Sequence, residues 1–161
     1  MIYLAADHRG FKFKEEIKKF LSERGYEAED VGAHEYTPDD DYIDFARAAS
    51  EKILVSPALH KGIFICGSGH GVDMVANKYK DIRAALCFNE TVAVQSRQHE
   101  DANVLVLPAD WLSIQEAKNI VNMWLITGFP GEERNVRRLA KMQEIEEKNF
   151  FARSESALGG K

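Results

Sequence analysis

Long apolar runs and cysteines are both scarce in this chain of 161 residues. None of its apolar runs approaches the ~20 residues that a membrane-spanning helix requires. The amino-terminal residues also lack the basic stretch that precedes the apolar core of a secretory signal. The chain has two cysteines, Cys66 and Cys87, and each follows an apolar segment, which predicts reduced thiols and no disulfide framework. These absences predict a cytoplasmic protein with no membrane partner.

Signatures of metal and nucleic-acid binding are also missing. The sequence contains neither the C-x-x-C spacing of a structural zinc site nor the H-E-x-x-H spacing of a zinc protease. Its formal net charge of -5 disfavours a general nucleic-acid binder. An apolar content of 45% and a charged content of 29% are typical of a globular domain. We therefore expect one domain over residues 1–150 and a flexible tail over 151–161, with no metal and no nucleic-acid partner.

Short apolar runs alternate with helical patterns along the chain. The runs predict strands at 2–6, 26–31, 63–65, 82–88 and 103–107. The helical patterns predict a helix that starts at residue 11 and is closed by Gly25, one that follows the third strand, and others at 42–54, 91–98, 112–126 and 135–151. This alternation is typical of an α/β fold, in which a five-stranded, mostly parallel sheet is covered by helices on both faces.

The central stretch of the chain joins the third strand to its helix through a glycine-rich loop. The strand ends at Cys66, and Gly67, Gly69 and Gly71 then alternate with Ser68 and His70. Free backbone N–H groups in such a loop, next to a helix start, suit an anion or a charge that develops during a reaction. The spacing fits neither G-x-G-x-x-G nor a Walker loop. Taken alone, the loop could be an anion site or an ordinary turn.

Two further polar residues, Asp7 and His8, directly follow the first strand. Ligands bind at the carboxyl ends of the strands in open parallel sheets. Asp7 and His8 are therefore expected at the same edge of the sheet as Cys66. Taken alone, Asp7 could also be a helix cap, and Cys66 could be a small core residue.

Six short motifs together resemble the type B ribose-5-phosphate isomerases and the related galactose-6-phosphate isomerase subunits. In chain order they are A-D-H-R-G at 6–10, D-Y at 41–42, I-C-G-S-G-H-G at 65–71, A-N-K at 76–78, S-R-Q-H at 96–99 and D-A-N-V-L at 101–105. The resemblance covers residues 1–145. It implies a Rossmann-like three-layer fold, a homodimer that often pairs into tetramers, active sites shared between subunits, and no cofactor.

The resemblance also implies roles for the loop residues. Cys66 matches the base that moves a proton between C1 and C2 of the sugar, and the loop is expected to lower the pKa of its thiol and to hold the enediolate oxygens. Ser68 matches a hydroxyl that passes a proton between O1 and O2. The remaining loop residues are expected to line the substrate site: Gly67, Gly69, His70 and Gly71.

Other matching positions imply contacts to the substrate. Asp7 and His8 match a pair that contacts the sugar and its phosphate, and Tyr42 matches a pocket tyrosine. His99 matches a residue of the partner subunit that helps to open the sugar ring. Two arginines one helical turn apart match a phosphate-binding pair: Arg134 and Arg138.

The sequence departs from the family pattern at three positions of the substrate end. Glu100 stands where asparagine is usual, and Asn135 stands where histidine is usual. Asp110 stands where the family has an arginine that reaches the phosphate from the partner subunit. If Glu100 and Asp110 face the pocket, their charges repel a phosphate. Arg9 or Arg137 could supply replacement positive charge.

Three functions therefore compete at this point. The leading hypothesis is an isomerase that interconverts ribose 5-phosphate and ribulose 5-phosphate through an enediolate. The first alternative is the same proton transfer on a hexose phosphate or an unphosphorylated sugar. The second is a flavodoxin-like module that binds a nucleotide or phosphate without chemistry. A binding module needs no base, so the presence of Cys66 and His99 disfavours it.

Overall fold

A computed structural model describes the backbone of residues 1–158 and the side chains of residues 1–149. Five parallel strands form one sheet in the order β2-β1-β3-β5-β4. The strands are β1 (Ile2–Ala6), β2 (Ala28–Asp30), β3 (Lys61–Cys66), β4 (Ala84–Leu86) and β5 (Val104–Pro108). The predicted α/β class and the parallel sheet are confirmed.

The helices follow the strands as the alternation predicts. They are α1 (Phe11–Glu23), α2 (Tyr42–Leu54), α3 (His70–Ala76), α4 (Glu90–Glu100), α5 (Ile114–Ile126) and α6 (Glu133–Leu158). Gly25 adopts a left-handed backbone just past α1, at φ 74°, as expected of a closing glycine. The start of α5 falls later than predicted, because Ser113 and Glu116 form a reciprocal capping box there.

Two apolar layers cover the sheet, one on each face, because successive side chains of a strand point in opposite directions. Leu4 and Ile63 pack in the layer formed by α1, α4 and α5, which contains the fully buried Trp124. Tyr3 and Phe64 pack in the layer formed by α2 and α3. Both faces of the central strands are therefore buried, which explains why those strands are continuous apolar runs.

The edge strands are shorter than predicted. β2 has three residues instead of the six at 26–31, and β4 has three instead of the seven at 82–88. Each pairs with one neighbour and is only half-buried. The burial that favours a long strand is therefore weaker at these edges than at β1 or β3.

The chain contacts divide into two units, Met1–Phe129 and a second that begins at Pro130. The second unit contains α6, which extends to Leu158 and so passes the predicted helix end at residue 151. The predicted tail over 151–161 thus falls on α6 and on residues 159–161, which lie outside the described residues. The single domain over 1–150 stays a prediction. Within the described part of the chain, no helix has the length and apolar character needed to cross a membrane.

Candidate active site

Cys66 and Asp7 meet at the carboxyl edge of the sheet. Ala6 of β1 pairs in register with Ile65 of β3, so the next residue of each chain segment lies beside the other. The Cys66 thiol donates to Asp7 Oδ2 at 3.0 Å. Asp7 Oδ1 accepts from the backbone N–H of Gly10, also at 3.0 Å. Asp7 is 3% exposed and Cys66 is 8% exposed, so this acid–thiol pair is largely shielded from water.

The environment of the Cys66 thiol raises its pKa to about 12. Burial is the largest cause, and the hydrogen bond and negative charge of Asp7 act in the same direction. The backbone N–H groups of Gly69 and Gly67 lower the pKa, as the sequence predicts for the loop. Their effect is smaller than that of burial and Asp7, so the expectation of a lowered thiol pKa is wrong.

The glycine loop makes close approaches that other residues would block. Gly69 has a left-handed backbone at φ 77°, directly before α3. A Cβ at Gly71 would lie 2.5 Å from the ring of Tyr42, so the glycine allows this ring to rest on the loop. Tyr42 is the first residue of α2, which is capped by the Asp41 side chain. The predicted pocket tyrosine is therefore adjacent to the loop.

Ser68 and His70 face the open side of the loop. Ser68 is half-buried, and its Oγ accepts from the backbone N–H of His70 at 3.4 Å. His70 is exposed and begins α3. Its ring meets the exposed Trp111 edge-on, with centroids 5.8 Å apart.

His8 is held by Asp40, a residue whose role the sequence analysis missed. One oxygen of Asp40, Oδ1, accepts from the His8 backbone N–H at 2.9 Å and lies 2.7 Å from His8 Nδ1. The Asp40 carboxylate is mostly buried, and no partner for its second oxygen is found among the described residues. The run of three aspartates at 39–41 was the available signal, but a run of acidic residues is more often a solvated loop.

Asp110 also lies at this edge of the sheet, where its carboxylate forms an ion pair with Arg9. The Asp110 backbone N–H donates to the carbonyl of Gly67 at 3.0 Å. The pair compensates the negative charge that the sequence analysis expected to repel a phosphate. The effect of Asp110 on phosphate binding stays a prediction.

Comparisons with known proteins show the family of this chain. Residues 2–142 match the family model described as Ribose/Galactose Isomerase. The chain belongs to this family. A probable ribose-5-phosphate isomerase B of Mycoplasma genitalium is 37% identical over 90% of this chain and 95% of its own length. The ribose-5-phosphate isomerase B of Mycobacterium tuberculosis strain H37Rv is 34% identical over 90% of this chain and 89% of its own.

Solved structures of the ribose/galactose isomerase family have the same fold. The Mycoplasma genitalium ribose-5-phosphate isomerase B with bound ribulose-5-phosphate superposes with a TM-score of 0.88 over 91% of this chain and 95% of that chain, at 37% identity. The Clostridium thermocellum ribose-5-phosphate isomerase B superposes with a TM-score of 0.87 over 92% of this chain and 98% of that chain, at 40% identity. The resemblance to the type B isomerases and the Rossmann-like fold are confirmed. This protein is an isomerase, which excludes the non-catalytic binding module.

His99 and Glu100 lie at the opposite edge of the sheet in this ribose/galactose isomerase. α4 starts at the carboxyl edge, and its eleven residues span about 16 Å towards the amino edge. There the Glu100 carbonyl accepts from Arg83 Nε at 2.9 Å, just before β4 begins. His99 is half-buried and Glu100 is exposed. One chain by itself does not bring His99 to Cys66.

The two predicted phosphate arginines lie one turn apart on α6, in the second unit of the chain. Both are exposed, and Arg134 Nε donates to Glu132 at 3.0 Å. Within the described residues, no group of three or more histidine, cysteine, aspartate or glutamate side chains is arranged to hold a metal ion.

Proposed function

We propose that this isomerase interconverts ribose 5-phosphate and ribulose 5-phosphate by proton transfer through an enediolate. The observation that carries the proposal is the contact between the Cys66 thiol and the Asp7 carboxylate at the start of the glycine loop. The names of the relatives support the substrate, since one solved neighbour is described with ribulose-5-phosphate bound. The family description, which also includes galactose, makes a hexose phosphate the first competitor.

The raised pKa of Cys66 requires a proton acceptor for the thiol, and Asp7 is in contact with it. In the proposed first step, the thiol proton passes to Asp7 Oδ2. The resulting thiolate is stabilised by the N–H groups of Gly69 and Gly67, which favour the charged sulfur. The thiolate then takes the proton from C2 of the open-chain aldose and later returns it to C1.

The enediolate needs its two oxygens stabilised and one proton moved between them. Backbone N–H groups of the glycine loop are proposed to donate to the oxyanion that develops beside Cys66. Ser68 Oγ has one hydrogen and two lone pairs, and its side chain is not fully buried. It passes a proton from O2 to O1, which leaves a hydroxyl on C1 and a carbonyl on C2.

The sugar ring must open before the proton transfer, and His99 of the partner subunit is proposed to assist. The support is topological, since His99 lies about the length of α4 away from the carboxyl edge of its own sheet. A second copy of the chain, with its α4 end directed at this loop, would complete the site. The proposed functional unit is therefore a homodimer with shared sites.

His8 is proposed to contact the substrate phosphate. Arg134 and Arg138 of α6 are each proposed, from the family resemblance, to have a phosphate-binding role. Asp40 lies against Nδ1 of His8, which leaves Nε2 available to the ligand. The two arginines are i, i+4 neighbours on α6, so their side chains can converge on one anion.

The decisive experiment is an isomerisation assay on a panel of pentoses and hexoses, each with and without phosphate. We expect the highest kcat/KM with ribose 5-phosphate and ribulose 5-phosphate. A higher kcat/KM with a hexose phosphate or with free ribose would overturn the substrate assignment but leave the proton-transfer chemistry intact. Full activity of Cys66→Ala on every sugar would overturn the mechanism.

A further inference from the structure

Arg9 is joined to the glycine loop through the loop that follows β5. Its guanidinium forms an ion pair with the Asp110 carboxylate. The backbone of the same segment is fixed to the glycine loop, because Ala109 N–H donates to the Cys66 carbonyl and Asp110 N–H donates to the Gly67 carbonyl, each at 3.0 Å. Arg9 is therefore held beside the residue that follows Cys66.

The Arg9 side chain lies directly on Gly67. A Cβ built at Gly67 would be 2.4 Å from Arg9 Nε and 2.7 Å from Cζ, so the guanidinium occupies the space that any other residue would need. Two contacts thus define the position of the Arg9 guanidinium: it lies against Gly67, and it is paired with the Asp110 carboxylate. An arginine side chain on an open surface has no such constraint.

Most of the hydrogen-bonding capacity of Arg9 remains unused. A guanidinium has five N–H donors, and Asp110 is its one hydrogen-bond partner among the described residues. The side chain is 55% exposed. Asp7 and Asp40, two carboxylates of the same edge, are engaged with Cys66 and His8. Arg9 is therefore a positioned cation with free donors at the entrance of the glycine loop.

We propose that Arg9 binds the phosphate of the substrate and sets the preference for phosphorylated sugars, and that Asp110 is its positioning residue. This inference rests on the proposed function of the same site. A planar guanidinium matches two oxygens of a phosphate at once, and charge-assisted bonds of this kind are stronger than neutral ones. Asp110 already holds one end of the Arg9 guanidinium, so the Arg9 side chain loses less conformational freedom when it binds phosphate.

The test compares Arg9→Ala with the wild-type enzyme on ribose 5-phosphate and on free ribose. We expect the KM for ribose 5-phosphate to rise about 10- to 100-fold, the usual effect of a lost charge-assisted bond, with kcat changed about twofold or less. The kcat and KM for free ribose should be the same in Arg9→Ala as in the wild-type enzyme. Asp110→Ala should raise the same KM by a smaller factor, about threefold or more, because Arg9 keeps its charge but loses its orientation.

Matched controls come from a second exposed arginine–aspartate pair on α2, in which Arg47 Nη2 lies 3.2 Å from Asp44 Oδ1. Arg47→Ala and Asp44→Ala should leave the KM for ribose 5-phosphate unchanged. Arg9→Lys, which keeps the charge without the fork, should fall between wild type and Arg9→Ala, and it replaces the alanine variant should that variant not fold. Circular dichroism establishes that each variant is folded.

Binding of inorganic phosphate, measured by calorimetry, separates this inference from the proposed function. Phosphate affinity should fall in Arg9→Ala by about the same factor as the KM rises. If the wild-type protein does not isomerise ribose 5-phosphate, the proposed function fails while the phosphate measurement still tests Arg9. Unchanged phosphate affinity in Arg9→Ala, or an equal loss of activity on free ribose, would overturn the role of Arg9.

Discussion

The Cys66 thiol donates to Asp7 Oδ2 across the ends of two adjacent parallel strands, at 3.0 Å. The carboxylate accepts the thiol hydrogen and, by its charge, resists the formation of a thiolate. The pair therefore favours the protonated thiol over the thiolate. This contact raises the pKa of the Cys66 thiol. It also places beside the thiol the Asp7 carboxylate, which we propose as the acceptor of its proton.

Cys66→Ala should reduce kcat about 10²- to 10⁴-fold on the best substrate, the usual contribution of a general base. The steady-state rate at saturating substrate is the measurement. Cys87 offers a matched control, since it is a fully buried thiol in the apolar layer on the other face of the sheet. Cys87→Ala should keep kcat near wild type. Near-normal turnover of Cys66→Ala would rule out Cys66 as the base.

Asp7→Asn should make Cys66 more reactive and the enzyme less active. The change removes the negative charge that raises the thiol pKa, so the pKa falls from about 12 and more thiolate is present at any pH between 7 and 10. Alkylation of Cys66 by iodoacetamide, followed by peptide mass spectrometry, should accelerate with the substitution. Cys87 labelling, limited by burial, serves as the internal reference. Equal Cys66 rates in both proteins would contradict the assigned coupling.

The free energy of unfolding should fall as pH rises above about 9, partly because of Cys66. Its pKa is about 12 in the folded protein and 9.0 without perturbation, so in that range the unfolded chain loses a proton that the folded chain keeps. The unfolded state is thereby favoured as pH rises. Urea denaturation at pH 8 and pH 10 should give a smaller drop for Cys66→Ala than for wild type. Identical drops would mean that the thiol is not protected in the folded state.

Mixed dimers test the proposal that each active site is shared between two subunits. Cys66→Ala and His99→Ala should each be inactive alone, and heterodimers of the two should regain activity. One of the two sites in each heterodimer then has a native Cys66 from one subunit and a native His99 from the other. Co-expression with two different affinity tags allows the heterodimers to be isolated. Absence of activity in purified heterodimers would indicate that each site is built within one chain.

Asp40→Ala should weaken binding of ribose 5-phosphate through His8. Asp40 contacts both the backbone and the ring of His8, so its loss frees the ring to rotate and to change tautomer. We expect the KM to rise about threefold to tenfold, and the ¹⁵N chemical shifts of the His8 ring to change. Asp41→Ala is the control, since Asp41 caps α2 and does not contact His8. Unchanged His8 shifts in Asp40→Ala would contradict the positioning role.

The sequence by itself determined the elements and the edge at which the chemistry lies. The apolar runs of β1 and β3, the helical period of α1 and the closing glycine Gly25 are local patterns, and local patterns fix secondary structure. Parallel strands place their carboxyl ends together, so the sequence alone predicts Asp7 and Cys66 at one edge of the sheet. The predicted boundaries were least accurate at β2 and β4. These strands are only half-buried, so the apolar pattern of their sequence differs little from that of the adjoining loops.

Only the tertiary structure decided how the polar side chains pair at that edge. Asp40 with His8 and Arg9 with Asp110 are separated by 32 and 101 residues, and no local period relates them. It also decided the direction of the Cys66 pKa shift, since the glycine loop lowers the pKa while burial and Asp7 raise it. The strength of burial and the approach of a charge depend on strand order and register, which bring distant segments together. Those quantities exist only once the sheet has formed, and they explain why the pKa of the Cys66 thiol is raised.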